Sequence, residues 1–227
     1  MTLYELDGRD GRRFSTNSWR SKLALAHKGL SFDSIPTPFT RIGEIGDGSF
    51  KTVPVLHDGD AWFGDSWAIA THLEEAYPDR PSLFGGAAGR EFARFVQHWQ
   101  ESQLGPFAIT LIVTDLYDCV VPEDRDYFRI SREKRLGKPL EEAVAGRDKR
   151  VEGFRRLCEP LRRRVSETPF LGGDRPTYAD YIAFGPFQWA RAVTPFRLVA
   201  PGDPVNDWFQ RCLDLYDGLA RHSPGYD

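Results

Sequence analysis

A short segment rich in proline, glycine and other small residues divides this chain into two parts with different hydrophobic patterns. Residues 78–89 read Pro-Asp-Arg-Pro-Ser-Leu-Phe-Gly-Gly-Ala-Ala-Gly, a composition that interrupts helices and strands alike. Short alternating and helical runs precede this segment, whereas nearly every later pattern has helical spacing. We therefore predict an α/β domain over residues 1–84 and an all-α domain over residues 85–227.

The first part is predicted to contain a strand, a helix, a second strand, a β-hairpin and a final helix. The first helix follows the capping side chains Ser15, Thr16 and Asn17, and it stops near Gly29. The second helix starts near Asp65-Ser66 and puts its apolar residues on one face. The predicted strands are residues 2–6, 32–36, 53–57 and 61–63, the last two joined by an Asp58-Gly59 turn.

The second part shows three apolar stripes at helical spacing, so we predict that it is helical throughout. Gly105-Pro106 should kink or break the long helix of the first stripe, because proline removes a helical hydrogen bond. Thr177 and Asp180 form an acidic relative of the capping box and predict the start of a buried helix. The stripes are Phe92, Phe95, Val96 and Trp99; Val151, Phe154, Cys158, Leu161 and Val165; and Trp208, Cys212, Leu215 and Leu219.

Charge and cysteine content narrow the function classes. The 227 residues carry 30 Lys and Arg against 33 Asp and Glu, a formal net charge of −3, which disfavours nucleic acid as the main partner. No apolar run approaches the roughly 20 residues that cross a bilayer, so we expect no membrane span. The N-terminus is polar and lacks a secretory pattern. The cysteines and histidines show no metal-ligand spacing, so we expect no metal site. The three cysteines are far apart and odd in number, which argues against a disulfide scaffold, so we expect a cytoplasmic location.

Val53-Pro54 is the first motif with two interpretations. A trans proline at a strand entrance is the more frequent case, because only about one X–Pro bond in twenty is cis. A cis bond would instead turn the backbone N–H and C=O of Val53 outward. An extended peptide-like ligand could then pair with them as an added strand.

Two helix starts also have a structural and a functional interpretation. Asp65 and Ser66 can simply cap a helix, or they can hold the ammonium and the carboxylate of an α-amino acid. Ser15, with Thr16 and Asn17 beside it, can cap the first helix or stabilise a bound thiolate. Aromatic residues predicted to wall a cleft are Phe14, Trp99, Phe107, Phe187 and Trp189.

In this order and spacing, the motifs resemble the cytosolic glutathione transferases. The resemblance covers the whole chain and is strongest over residues 52–78. It implies a thioredoxin-like first domain that binds glutathione and an all-helical second domain that binds the other substrate. No cysteine occupies the start of the first helix, which argues against the thiol-transferase and dehydroascorbate-reductase types.

Within that superfamily, the sequence is most similar to the bacterial glutathione-dependent β-aryl etherases and their fungal etherase-related cousins. The segments that carry this similarity lie mostly outside the general transferase pattern. They are Trp19-Arg20 with Lys22, Ala24-Leu25, Lys28-Gly29, Asp124-Arg-Asp-Tyr127, Ser131-Arg-Glu133, Leu140-Glu141, Ala145-Gly-Arg147, Leu171-Gly-Gly-Asp174 and residues 215–222.

The resemblance also implies roles for single residues. Ser15 corresponds to the thiol-stabilising serine, and Val53-Pro54 to a cis-proline step that pairs with glutathione. Asp65-Ser66 would hold the γ-glutamyl head, and Lys51 would hold the glycyl carboxylate. Thr16 departs from the family, where proline usually follows the serine. Thr16 or Asn17 is therefore an alternative contact for the sulfur.

The implied reaction is attack of the glutathione thiolate on an electrophilic carbon of a hydrophobic aromatic substrate. In the etherases that carbon lies β to a ketone and an aryloxide leaves. Two alternatives stay open: a general transferase, isomerase or dehalogenase acting on another small electrophile, and a non-catalytic binding protein with this fold. The resemblance also implies a homodimer.

Overall fold

The computed structural model describes residues 1–226 and consists of a small α/β domain followed by a helical domain. The α/β domain contains one four-stranded sheet with the strand order β2-β1-β3-β4. Strands β1 and β2 are parallel, and β3 and β4 form an antiparallel hairpin. The elements are β1 (Thr2–Leu6), α1 (Thr16–His27), β2 (Asp33–Thr37), β3 (Val55–Asp58), β4 (Ala61–Gly64) and α2 (Ser66–Ala76). This arrangement confirms the predicted fold class.

Strand β3 begins two residues later than the sequence pattern predicts. Val53 and Pro54 precede the ladder, which starts where Val55 pairs with Tyr4 of β1 and with Gly64 of β4. Proline has no N–H to donate, so the ladder cannot include Pro54 as a full member.

The helical domain begins at Ala87, after the proline- and glycine-rich segment. Its longest buried helix is α9, which lies against α1 and carries buried residues on nearly all sides. The helices are α3 (Ala87–Trp99), α4 (Gly105–Cys119), α5 (Arg125–Leu136), α6 (Leu140–Val144), α7 (Arg147–Leu157), α8 (Glu159–Glu167), α9 (Tyr178–Val193) and α10 (Pro204–Leu213), followed by a short turn at Leu215–Gly218.

The predicted break at Gly105-Pro106 is a change of helical type instead. A π-helical segment, Gln100–Leu104, joins α3 to α4 without interrupting the chain of helical residues. Pro106 lies in the first turn of α4, where its missing N–H is least costly. A methyl group on Gly105 would lie 2.9 Å from Gln100 Nε2 and 3.2 Å from the Gln100 carbonyl oxygen, so a larger residue there would require the Gln100 side chain to move.

The first predicted apolar stripe is wrong in part. Phe92 and Phe95 on α3 are 40% and 67% exposed, whereas Val96 and Gln97 are buried. The buried face is more polar than expected because Arg20 of α1 enters the domain interface and donates to Gln100. Burial lowers the pKa of Arg20, and Glu101 offsets part of that cost from 3.7 Å.

The capping box predicted at Thr177 and Asp180 is present. Asp180 Oδ2 accepts from the Thr177 N–H at 2.9 Å, while Oδ1 accepts from the Leu171 N–H at 2.7 Å and from Trp208 Nε1 at 3.0 Å. Asp180 is fully buried, so these bonds replace its hydration. One carboxylate therefore joins the start of α9, the preceding loop and α10.

Candidate active site

A cleft of about 360 Å³ lies between the two domains at the start of α1. The first turn of α1 contributes Ser15, Thr16 and Asn17 to its lining, and the chain before β3 contributes Lys51 and Val53. This volume lies within the usual range for small-molecule sites, about 300–1,000 Å³.

Ser15 is the N-cap of α1 and presents an available donor to the cleft. Its Oγ accepts from the Ser18 N–H at 3.2 Å and from the Ser18 hydroxyl at 2.8 Å. A hydroxyl has two acceptor positions and one proton, so the Ser15 proton is left to donate to a third group. The N–H groups of Thr16 and Asn17 open the helix and have no intrahelical acceptor. The position suits an anion such as a thiolate.

The Val53–Pro54 peptide bond is cis. This is the less frequent of the two forms considered from the sequence. Within residues 1–226, no backbone hydrogen bond uses the N–H or C=O of Val53. Both groups are therefore available to an extended peptide that lies along this edge.

Asp65 and Ser66 lie beside the Val53–Pro54 step, because Gly64 pairs with Val55. Asp65 Oδ1 caps α2 by accepting from Trp67 N–H at 2.9 Å and Ala68 N–H at 3.1 Å, and Oδ2 makes no hydrogen bond within residues 1–226. The φ angle of Asp65 is 73°, a region that L residues seldom adopt. Such conformations concentrate at functional sites.

Ser66 is buried at the first position of α2. Its carbonyl accepts from the Tyr178 hydroxyl of α9 at 2.7 Å, so the helical domain fixes this end of the site. Its N–H has no intrahelical acceptor. Both the capping and the ligand-binding interpretation of this pair are therefore compatible with one geometry: one oxygen caps, and the other oxygen and the helix amide stay free.

Aromatic side chains also line the cleft. Phe14 and Trp189, both predicted, belong to this lining, and Phe39 and Phe128 join them. Trp99, Phe107 and Phe187 do not line this cleft. Phe107 and Phe187 both pack against Phe154 in the helical core, and Trp99 packs against the same core.

The sequence reasoning assigned no role to the basic residues of α5. Arg132 and Arg135 line the cleft together with Tyr127. Residues 124–127 and 131–133 resemble the corresponding segments of the etherases, but their sequence does not predict that they lie at the cleft. Their one hint is the i, i+3 spacing of Arg132 and Arg135, which puts both side chains on one helix face.

Asp124 attaches α5 to the α/β domain. This fully buried carboxylate accepts from the N–H groups of Phe39 and Thr40, the latter at 2.9 Å, and from the Thr40 hydroxyl at 2.8 Å. The loop after β2 and the start of α5 therefore share a single hydrogen-bonding centre. Phe39 is held in the cleft lining as a result.

Metal and membrane features were searched over residues 1–226. No group of three or more His, Cys, Asp and Glu side chains there is arranged as a metal site. In the same range, every helix is too short or too polar to cross a bilayer. The three cysteines, Cys119, Cys158 and Cys212, are buried and unpaired, and burial raises the pKa of each thiol.

Comparisons with known proteins agree with this geometry. Family models described as "Glutathione S-transferase, N-terminal domain" and "Glutathione S-transferase, C-terminal domain" match residues 11–81 and 92–213. The chain is similar to glutathione S-transferase 4 of Zea mays, with 29% identity over 199 residues, which cover 84% of this chain and 80% of the relative.

Two solved fungal structures share the fold. A glutathione S-transferase of Ceriporiopsis subvermispora in complex with glutathione aligns with a TM-score of 0.82 and 21% identity, covering 98% of both chains. Glutathione transferase GSTFuA3 of Phanerochaete chrysosporium aligns with a TM-score of 0.77 and 24% identity, covering 96% of this chain and 91% of that one.

Proposed function

The chain belongs to the glutathione S-transferase family, and from that premise we propose that it transfers glutathione to an electrophilic carbon of a small aromatic substrate. The observation that carries this proposal is the Ser15 hydroxyl. It lies in the interdomain cleft at a helix start, with its two acceptor positions filled and its proton free.

Ser15 performs the chemical task of the proposal by donating to the sulfur of the bound tripeptide. Donation to an anion and the positive end of α1 both favour thiolate over thiol, whose ordinary pKa is about 8.5. A thiolate is the nucleophilic form at neutral pH. Thr16 and Asn17 supply the adjacent helix amides and remain alternative partners for the sulfur.

The tripeptide would lie along the Val53–Pro54 edge. The free backbone of Val53 would pair with its central residue as an added strand. Asp65 Oδ2 would hold the ammonium of the γ-glutamyl head, and the Ser66 N–H at the start of α2 would hold its carboxylate. Lys51, which is exposed and lines the cleft, would hold the glycyl carboxylate.

The aromatic lining supports an aromatic second substrate. Phe39 and Trp189 are partly exposed and offer ring faces and edges, and stacking on such surfaces stabilises a bound ring. Phe14 and Phe128 belong to the same lining but are buried. Confinement beside Ser15 would hold the electrophilic carbon near the sulfur, which converts a bimolecular attack into an intramolecular one.

Within this class we propose cleavage of β-aryl ether ketones as the specific reaction. A C–S bond forms at the carbon that bears the aryloxy group, the bond between that carbon and the aryloxide oxygen breaks, and the aryloxide leaves and is protonated to a phenol. The supporting observation is the similarity of the α1 and α5 segments to the etherases. Incubation with glutathione and a panel of such ethers, with phenol release measured, tests it. Turnover of a chloronitrobenzene alone would favour the general transferase.

The test of the core proposal is Ser15→Ala compared with Ser15→Thr. A hydrogen bond to a charged group contributes about 1.5–3 kcal/mol, so alanine should raise the pKa of the bound thiol by about 1–2 units. The fall in kcat/KM at neutral pH should be about 10- to 100-fold. Threonine keeps the hydroxyl and should restore most of the activity.

Thiolate absorbance near 240 nm as a function of pH gives the pKa directly. Thr16→Ala and Asn17→Ala serve as matched controls on the same turn. An unchanged titration in Ser15→Ala, together with a shifted one in either control, would transfer the role to that neighbour. Absence of glutathione binding by calorimetry would favour the non-catalytic binding protein.

We also propose a cytoplasmic homodimer. Phe92 and Phe95 on α3 are exposed apolar residues that a second copy could cover. Sedimentation equilibrium should give twice the 25.8 kDa chain mass, and Phe95→Glu should shift the equilibrium toward monomer. A monomeric wild-type protein at micromolar concentration would contradict this.

A further inference from the structure

The cleft is lined by basic side chains without acidic ones. Lys51, Arg132 and Arg135 face it, and none of the other lining residues is Asp or Glu. The whole chain has a net charge of −3, so this concentration of positive charge is local. Within residues 1–226, no carboxylate lies within 4.0 Å of these three basic groups.

The arginine one turn earlier on α5, Arg129, differs from Arg132 and Arg135 because it is paired with carboxylates. Arg129 donates to Glu133 at 2.9 Å and to Glu141 at 2.8 Å, which neutralises it away from the cleft. Within residues 1–226, the one side-chain hydrogen bond of Arg132 is donated to the Ser131 hydroxyl at 3.1 Å. Arg129 is therefore neutralised by carboxylates outside the cleft. Arg132 and Arg135, on the same helix, line the cleft without a carboxylate partner.

Arg132 is held in place by aromatic rings. Its guanidinium lies 4.8 Å from the centre of Phe128 and 5.4 Å from that of Phe39. Burial lowers the pKa of Arg132, and the nearby charge of Arg135 adds to this effect. Attraction to an anion bound between the two arginines would offset the free energy that it costs to bury the charged Arg132 side chain.

We propose that Arg132 and Arg135 select an aromatic electrophile that carries a carboxylate. The inference rests on the proposed function, in which Lys51 and the start of α2 already neutralise the two carboxylates of glutathione. The remaining positive charge therefore belongs to the second substrate. Its ring would lie on Phe39 and Trp189, and its carboxylate would accept hydrogen bonds from the guanidinium groups, a geometry that arginine favours.

The test uses a matched pair of electrophiles, ethacrynic acid and its methyl ester. In both, the sulfur forms a C–S bond at the terminal alkene carbon, the alkene electron pair moves toward the ketone, and the α-carbon takes a proton. Charge-assisted hydrogen bonds predict a kcat/KM for the acid about 10- to 100-fold above that for the ester.

Arg132→Met and Arg135→Gln should each lower kcat/KM for the acid more than kcat/KM for the ester, so that the preference falls at least several-fold. Lys134→Gln is the control, because it removes one positive charge from an exposed position on the same helix outside the cleft. Equal turnover of acid and ester by the wild type would overturn the inference. So would an increase of the glutathione KM in Arg132→Met that is the same with both electrophiles.

A binding measurement separates this inference from the proposed function. Calorimetry compares 4-phenylbutyrate with 4-phenylbutyramide, neither of which reacts. Tighter binding of the carboxylate by the wild type, lost in Arg132→Met, supports the inference even if neither electrophile is turned over. Equal binding of the two compounds overturns it even if conjugation is observed.

Discussion

Asp65 combines two functions in one carboxylate. One oxygen completes the first turn of α2, and the other is free beside the Val53–Pro54 edge. Its positive φ angle directs the backbone so that Ser66 can begin the helix and contact Tyr178 at once. The capping role and the proposed ammonium-binding role of Asp65 can be separated, because only the second requires a negative charge.

Asp65→Asn should weaken glutathione binding and leave the fold intact. Asparagine caps helices as well as aspartate and tolerates positive φ, so the free energy of unfolding should change by less than about 0.5 kcal/mol. Loss of the charge should raise the KM for glutathione about 10-fold. Steady-state kinetics and urea unfolding measure the two effects. Asp60→Asn, an exposed change of equal charge, should do neither.

Single residues were predicted from the sequence where chemistry and position coincide. The sequence predicts Ser15 and Asp65 as site residues because serine and aspartate at helix starts have few functions besides capping and anion or ammonium binding. The cis form of Val53–Pro54 was not favoured, since the frequency of cis bonds outweighs any local pattern. Tertiary context, not the dipeptide, decides that isomer.

At the scale of elements, the site depends on how closely α9 approaches the start of α1. Gly185 of α9 lies at this crossing, and a methyl group there would be 3.1 Å from the Thr16 Cβ and 3.5 Å from the Thr16 carbonyl oxygen. The missing side chain thus lets the helical domain support the first turn of α1, next to Ser15.

Gly185→Val should displace that turn. Overpacking of a buried contact costs about 1–3 kcal/mol, so the free energy of unfolding should fall by about 2 kcal/mol. kcat/KM should fall several-fold more than KM rises, because Ser15 moves with Thr16. Urea unfolding and steady-state kinetics give both values. Gly43→Val is the control, since nothing lies within 4 Å of its added Cβ, and full activity in Gly185→Val would contradict the argument.

Helical periodicity predicted the elements well and their buried faces less well. Strands and helices in the first domain fall within a few residues of their predicted positions. The predicted burial of Phe92 and Phe95 was wrong because helical spacing shows that residues share a face of the helix, but it does not show whether that face is buried. Here Gln97 and Gln100 face the domain interface instead, where Gln100 accepts a hydrogen bond from Arg20 and Gln97 donates one to Glu101.

At the scale of the whole molecule, a cluster of His27, Tyr181 and Tyr216 joins the two domains at the C-terminal end of α1. His27 Nδ1 lies 2.6 Å from the Tyr181 hydroxyl of α9, and that hydroxyl also contacts Tyr216. Burial lowers the pKa of His27 from its usual 6.5 to about 4, with Lys28 adding to the effect. The neutral ring is therefore the native form.

This contact predicts a loss of stability in mild acid. Between pH 6.5 and about 4 the unfolded chain binds the His27 proton and the native chain does not, so stability falls as pH falls through this window. The loss amounts to at most about 3 kcal/mol. His27→Gln should remove it, measured as the difference in unfolding free energy between wild type and variant at each pH.

The exposed His98→Gln serves as the matched control and should leave the pH profile unchanged. A difference between wild type and His27→Gln that is constant from pH 8 to pH 4 would contradict the assignment.

The basic residues of the cleft and their contacts could not be predicted from the sequence alone. Arg132 and Phe39 belong to different domains and are 93 positions apart, yet their side chains stack. Local spacing identifies helix starts and turns, but such a pairing depends on the complete packing of α5 against the loop after β2. The sequence thus predicted Ser15, Val53, Phe14 and Trp189 as residues near a site, but it did not predict that Phe39, Phe128, Arg132 and Arg135 join them in the cleft lining.

The buried carboxylate of Asp124 gives this distant pairing an evolutionary consequence. Because it binds the Phe39 and Thr40 amides, the loop after β2 and the helix that bears both cleft arginines form one mechanical body. A mutation in that loop therefore changes the orientation of the Arg132 side chain while the sequence of α5 stays the same. New substrate preferences can arise in one domain from inherited changes in the other.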